Sequence, residues 1–338
     1  MKTIILYFIK FLGGFWLSRK LIRNKTLILA YHSFEVFDES EFRPNLFIKY
    51  STLTQRLKYL KTHCNVVSLS EIEQSNKPIN SVVITVDDGW ASTLSHASSV
   101  FSKFNFPYTI YLTTENVLDN QPVFHILLDY ILQASVGKTL TIILKGKECI
   151  KTVVSINNIE NLKKEIALVK TKRLDTELLT VIARSLDVDI GGIIDKKSFS
   201  LMSVDEVKNI AQLGADIQLH THSHHTYLFD ENAFEKDLQA NQQHIEDITG
   251  IKPLHHCYPS GSYNADSIQW LKRLGIKTAT TCNPGFCDEQ SNKLALPRFL
   301  DGENIPQIVF EAEVSGVLEV FRKLKSLIIS GKLRTVNS

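Results

Sequence analysis

Short, uninterrupted apolar runs alternate along this chain with longer stretches of helical periodicity. Thr26–Tyr31 (TLILAY) predicts a buried strand and Leu53–His63 a helix. Asn65–Leu69 predicts a short strand. Ser81–Val86 (SVVITV) predicts a β-branched strand that runs into Asp87-Asp88-Gly89. Ala91–Phe104 then predicts a helix and Tyr108–Leu112 the next strand. From about Glu115 to Ser200 the rhythm breaks. Thr139–Leu144 and Ile150–Ile156 can pair as a hairpin around Lys145-Gly146-Lys147, and Ile159–Lys170 and Asp175–Leu186 read as helices. The rhythm resumes at Ser203, which with Glu206 has the form of a capping box opening a helix that ends near Gly214. Asp216–Leu219 is a strand, Ala233–Thr249 an amphipathic helix stopped by Gly250, His256–Tyr258 a strand end, Asp266–Leu274 a helix and Thr278–Thr281 a last short strand. Alternation of this kind predicts a parallel α/β sheet or barrel. It divides the chain into a barrel over 26–114 and 201–310, an inserted and mainly helical segment over 115–200, and a C-terminal helix and tail over 311–338.

Residues 1–25 stand apart. Ile4–Trp16 is apolar except for Lys10 and a glycine pair, and Lys2, Arg19, Lys20, Arg23 and Lys25 add positive charge. The run falls short of the roughly 20 residues of a membrane-spanning helix, and no small-residue cleavage site follows it. A basic helix lying in a membrane interface, with peripheral contact at the cytoplasmic face, is the expectation. An uncleaved signal anchor, which would turn the chain outward, is the alternative, and a plain amphipathic core helix is the blander one.

Composition adds limits. With 38 basic and 36 acidic residues and a net charge of +2, the balance gives no argument for a nucleic-acid partner. The five cysteines form no CxxC pair, which favours reduced thiols and the cytoplasm over a disulfide framework.

The chemistry gathers at predicted strand ends, the edge where parallel α/β folds build their sites. Asp87 and Asp88 are adjacent carboxylates that leave a strand in different directions, so one can bind a metal while the other acts as a base. Alone, an Asp-Gly turn would explain them equally well. His220-Thr221-His222-Ser223-His224-His225 packs four histidines into six positions, which core packing does not explain. His220 and His224 can converge on one ion if the loop curls, and with Asp88 they give three ligands with room for water and substrate. His32, at the end of the first strand, is a candidate acid.

These residues resemble the polysaccharide deacetylase, or NodB-homology, superfamily of carbohydrate esterases. Thr85-Val86-Asp87-Asp88-Gly89 is similar to its T-F-D-D-G motif, His220–His224 to H-[ST]-x-x-H, and Lys252–Asn264 (KPLHHCYPSGSYN) to its third motif. The resemblance runs from about Thr26 to about Asp301, apart from the insertion. It implies a distorted (β/α)7-type barrel with fewer than eight regular strands. It implies Asp88, His220 and His224 as ligands of one divalent ion, zinc first and cobalt, nickel or manganese otherwise, and Asp87 as the base. Tyr31-His32 resembles the N-terminal histidine segment of circularly permuted members, which makes His32 the acid. In the third motif Cys257 stands where many members carry Arg, and Ser260 where Tyr is usual. Arg298 is the candidate for the missing positive charge beside Asp87, with a surface salt bridge as the plain alternative. The Tyr258-Pro259-Ser260-Gly261 turn is expected to offer a backbone N–H to an oxyanion. The implied reaction removes an acetyl group from an N-acetylated glycan, of the cell surface or its lipid-linked precursor. A deformylase or other amidohydrolase, or an inactive carbohydrate-binding relative, are the competing readings.

Overall fold

A computed structural model describes residues 2–73, 77–119, 121–144, 147–169 and 175–325. Six parallel strands form its frame: β1 Thr26–Tyr31, β2 Ser81–Asp88, β3 Thr109–Leu112, β4 Asp216–Leu219, β5 His255–Cys257 and β6 Thr278–Thr280. They lie side by side in chain order. Each is joined to the next through helical segments, as parallel neighbours require. The sheet curls, and the stretch Leu296–Leu300 links its two edges. Leu296 bridges Thr280 of β6, while Phe299 and Leu300 pair in parallel with Leu29 and Ala30 of β1. The parallel α/β arrangement is what the pattern predicted, and its curled, distorted barrel form is what the resemblance implied.

Strand alternation sorts the core into two layers. Leu27, Leu29, Tyr31, Val82, Ile84 and Val86 face the surrounding helices in one large apolar cluster. Ile28, Val83, Tyr111, Cys257 and Leu296 fill the space enclosed by the sheet. Because β2 is buried on both faces, Ser81–Asp87 reads as a continuous run instead of an alternating one.

Several elements differ from their predicted extents. The strand predicted over Asn65–Leu69 keeps only Asn65–Val66, because Glu71 accepts hydrogen bonds from the Ser68 amide and hydroxyl and turns the chain into a 3-10 helix over Leu69–Glu73. The helix predicted over Ala91–Phe104 is regular only from Ser98. A π turn over Thr93–Ala97 precedes it, where Ser95 and Ser98 donate to the carbonyls of Ala91 and Leu94. β2 extends through both carboxylates. Both hydrogen bonds of the Ser203–Glu206 capping box are present, and Gly250 ends the helix Glu231–Thr249 in the left-handed conformation.

The segment between β3 and β4 holds the helices Phe124–Gln133, Ile159–Val169 and Asp175–Ser185 and the antiparallel pair Thr139–Leu144 and Lys147–Val153. Lys145, Gly146 and Lys170 lie outside the described residues. Asp129, on the first of these helices, is buried and pairs with Arg43 and Lys163, which ties this segment to the loop after β1. At the other end of the chain, the helix Gln307–Val314 is followed by helical turns over 317–325, and 326–338 lie outside the described residues.

His256, on β5, is fully buried against Phe234 and Tyr258, and neither ring nitrogen reaches a protein hydrogen-bond partner. Burial, helped by the neighbouring His220 whenever that ring is charged, holds its pKa well below the ordinary imidazole value. The unfolded chain takes up this proton near pH 6.5 and the folded chain only at lower pH, so this contribution to stability is present above about 6.5 and lost as pH falls. His256→Phe is expected to flatten the decline between pH 7 and 5. Chemical denaturation of both proteins across that range should show the wild type losing up to about 1.4 kcal/mol per pH unit more than the variant; parallel slopes would contradict the assignment.

Candidate functional site

Asp87 and Asp88 end β2, and strand geometry sends them to different places. Asp87 continues the inward set Val83 and Thr85 into the barrel. Asp88 has φ 70° and Gly89 φ 91°, which turns the second carboxylate out to the rim. A Cβ at position 89 would meet only the end of the Leu112 side chain, which can move aside, so it is the left-handed φ that favours glycine there.

Inside, Arg298 meets Asp87. It projects from the stretch that links the two sheet edges and is fully buried. Its Nη1 lies 2.7 Å from Asp87 Oδ1 and its Nη2 2.8 Å from Oδ2, a two-pronged pair. Nη1 also donates to Thr85 Oγ1, Nε to the Thr281 carbonyl and Nη2 to Cys257 Sγ at 3.0 Å. Burial opposes charge on Asp87, but Arg298, helped by His32 and His220, outweighs it and holds the carboxyl below its usual range. The positive charge absent from the third motif thus arrives from a different strand end.

At the rim, the loop after β4 carries His220 and His224. Asp237 and Asn241, four apart on one face of the helix Glu231–Thr249, shape that loop. Asn241 Oδ1 accepts from the His220 amide, and Asp237 accepts from the amides of His222 and Ser223 and from the Ser223 hydroxyl. Thr221 and His224 adopt φ of 63° and 55° as the loop curls. Nε2 of each histidine comes to 3.3 Å from Asp88 Oδ1. His222 is turned away and bonds Thr114.

This donor set fits a divalent cation. His220 Nδ1 donates to the Cys257 carbonyl at 2.8 Å, so Nε2 of the neutral ring presents its lone pair to Asp88. Asp88 Oδ2 is satisfied by Trp90 Nε1 at 2.9 Å, whereas buried Oδ1 has no hydrogen-bond donor. Burial disfavours ionising Asp88, yet the two imidazoles in their protonated form outweigh it and keep its pKa well below the ordinary carboxylate value; with the imidazoles neutral, a cation must take the place of their protons. An ionised oxygen and a lone pair held face to face repel unless a cation or proton lies between them. Asp87, His220 and Cys257 also lie close together. That trio is a poor host, because the Arg298 guanidinium already occupies Asp87 and burial pushes the Cys257 thiol far above its usual range.

His32 follows β1 and lies with its Nε2 3.8 Å from Asp87 Oδ2. Tyr258 donates its hydroxyl to the Leu294 carbonyl and is buried. In the turn after it, the Tyr258 amide donates to Thr280 and the Gly261 amide to Tyr258, and Pro259 has no N–H. The expectation of an amide somewhere in this turn therefore narrows to Ser260, whose φ is 56°. Tyr258 and Ser260 line the cavity; Pro259 and Gly261 shape the turn behind them.

Asp87, Asp88, His32, His220 and His224 open together into one cavity of about 1040 Å³. Its far wall comes from the segment between β3 and β4, including Glu115, His125 and Glu177. Burial, with His224 and Arg43 nearby, lowers the His125 pKa. Nothing in the sequence marked His125, since it stands alone in an apolar helix. Trp90, Asp237 and Asn241 were equally unmarked, because their roles appear only through partners distant in sequence.

A sequence model of the family described as "Polysaccharide deacetylase" matches residues 175–279. The chain resembles the polysaccharide deacetylases. The matched stretch holds the histidine loop and the Tyr258 turn, while His32, Asp87, Asp88 and Arg298 lie outside it. Solved structures carry the likeness further as a fold. The deacetylase PplD of Streptococcus pyogenes, solved in complex with acetate, superimposes with a TM-score of 0.57 at 16% identity, over 86% of this chain and 99% of that one. A de-N-acetylase from Aggregatibacter actinomycetemcomitans gives 0.54 at 17% identity over 86% and 99%. IcaB from Ammonifex degensii gives 0.53 at 16% identity over 86% and 97%. No curated protein matches the sequence.

The geometry predicts about one divalent ion per chain, in the manner of a catalytic site with three protein ligands. Elemental analysis of protein purified without chelator should find it, and His220→Ala, His224→Ala and Asp88→Asn should each lose it. Cys257→Ser should keep it. Asp237→Ala, which frees the loop without touching the ligands, should weaken metal affinity about 10- to 100-fold in a chelator competition.

Proposed function

We propose that this chain is a metal-dependent deacetylase acting on an N-acetylated sugar of a surface glycan or its lipid-linked precursor, at the cytoplasmic side. The observation that carries the proposal is the shared cavity: a three-donor cation site next to an arginine-paired carboxylate and a histidine. The likeness to polysaccharide deacetylases supports it. A divalent ion held by Asp88, His220 and His224, zinc by preference, would polarise the acetyl carbonyl and acidify water.

The chain's own residues supply the rest. Arg298 keeps Asp87 ionised and fixed in orientation, and each carboxylate oxygen retains a second lone pair for a proton. Asp87 accepts the proton of the attacking water. The Ser260 amide, which makes none of the turn's own bonds, is the donor assigned to the developing oxyanion. His32, whose Nε2 lies 3.8 Å from Asp87 Oδ2, donates to the departing amine. Acetate and a free amino sugar leave. The cavity has the volume of a site that holds more than a single sugar ring.

Acetate release from acetylated chito-oligosaccharides tests this directly. Asp87→Asn should retain metal and lose about 10²- to 10⁴-fold in kcat, the range of a removed general base. His32→Ala should also retain metal and slow turnover. Release of formate from N-formyl substrates in preference to acetate would favour the deformylase reading. Full metal occupancy with saturable sugar binding and no acyl release would favour an inactive binding protein.

A further inference from the structure

Residues 2–21 form two helices instead of one. α1 spans Lys2–Phe11 and α2 spans Gly14–Leu21, and the chain turns between them at Gly13, whose φ is 78°. Each helix has a narrow inner side. Leu6 and Phe15 pack with Ile308, Ala312 and Val317 of the C-terminal helical region, and Ile22 enters the main core.

The outer side is apolar and unusually exposed. On α1, Ile4, Phe8 and Phe11 follow one another at helical spacing, with fractional exposures of 72%, 62% and 86%. On α2, Trp16, Leu17 and Leu21 continue the surface at 59%, 55% and 71%. Isolated exposed apolar residues are common, but a contiguous group of this kind marks an interaction surface.

Charge identifies the partner. Residues 1–34 contain six lysines and arginines and no acidic residue; the first is Glu35. Lys20 lies over the Trp16 ring at 3.8 Å, and neither Lys20 nor Arg23 has an acidic partner among the described residues. A second copy of this face would bring like charges together across a twofold contact. An anionic lipid surface meets both demands, with acyl chains for the aromatic and aliphatic side chains and headgroups for the cations. No helix among the described residues is long and apolar enough to cross a membrane.

We propose that the α1–α2 hairpin docks the protein in-plane on an anionic lipid bilayer. α2 feeds β1 at its N-terminal end, and the catalytic cavity opens at the other end. A six-residue strand, roughly 20 Å, separates the two, so docking leaves the cavity unobstructed. The inference does not depend on the reaction, and its test reads no activity.

Flotation of the full chain with vesicles of phosphatidylcholine alone, or with about 30 mol% phosphatidylglycerol, tests it. The wild type is expected to float with the anionic vesicles, less so at high salt. Phe8→Ser/Phe11→Ser/Trp16→Ser should weaken this about tenfold or more with an unchanged melting temperature. Lys20→Glu/Arg23→Glu, which leaves the apolar surface intact, should lower binding to the anionic vesicles only. A wild type that stays unbound at both compositions overturns the proposal. So does a folded triple variant that floats like wild type. A wild-type dimer that the triple substitution converts to monomer, without vesicle binding in either, would assign the face to self-association instead.

Discussion

The buried pair between Arg298 and Asp87 organises both the barrel interior and the site. A guanidinium with no exposed surface is tolerable only with its hydrogen bonds and its charge answered, and Asp87 and Thr85 of β2, Cys257 of β5 and Thr281 after β6 answer them from three parts of the sheet. The requirement fixes the register of the stretch that links the two sheet edges, because Arg298 must arrive at the level of Asp87. Cys257 is part of the same arrangement: its buried, neutral thiol accepts from Arg298 Nη2 and brings no second charge to Asp87. The Cys257 carbonyl meanwhile sets the tautomer of His220, so the pair and the cation site share a residue.

Much of the frame was legible because burial on both faces of a parallel sheet leaves a simple signature. Thr26–Tyr31 and Ser81–Val86 could be marked from composition alone, and the capping box at Ser203 and the glycine stop at Gly250 carry their geometry in their residue types. What escaped was set by side chains folding back on nearby backbone. Glu71 shortens a strand through Ser68, and two serine hydroxyls distort the start of a helix. Neither effect has a periodicity to read.

The site was legible in the same uneven way. Carboxylates and histidines at strand ends announce themselves, and the structure brings Asp87, Asp88, His32, His220 and His224 into one cavity. The supports do not announce themselves. Asp237 and Asn241 look like ordinary polar positions on an amphipathic helix until the loop they hold is seen, and Trp90 looks like core until its indole N–H is found on Asp88. Arg298 falls between these cases. Its residue type suggested a partner for Asp87, but only the path of the chain across the open side of the sheet explains why an arginine so late in sequence reaches the centre.

Four residues around the cavity, Asp88, Thr221, His224 and Ser260, hold positive φ without being glycine. Side chains in that conformation carry a cost of order 1 kcal/mol each, so the chemistry is mounted on backbone that glycine would occupy more comfortably. Two of the four are proposed ligands. A drift of these positions toward glycine would therefore relax the fold while erasing the ion site, and a descendant freed from selection for turnover has a downhill path to becoming a sturdier protein that does nothing. Thr221 and Ser260 are different: there the same relaxation removes no proposed ligand and no backbone amide, which marks them as the places where this scaffold has stability left to gain.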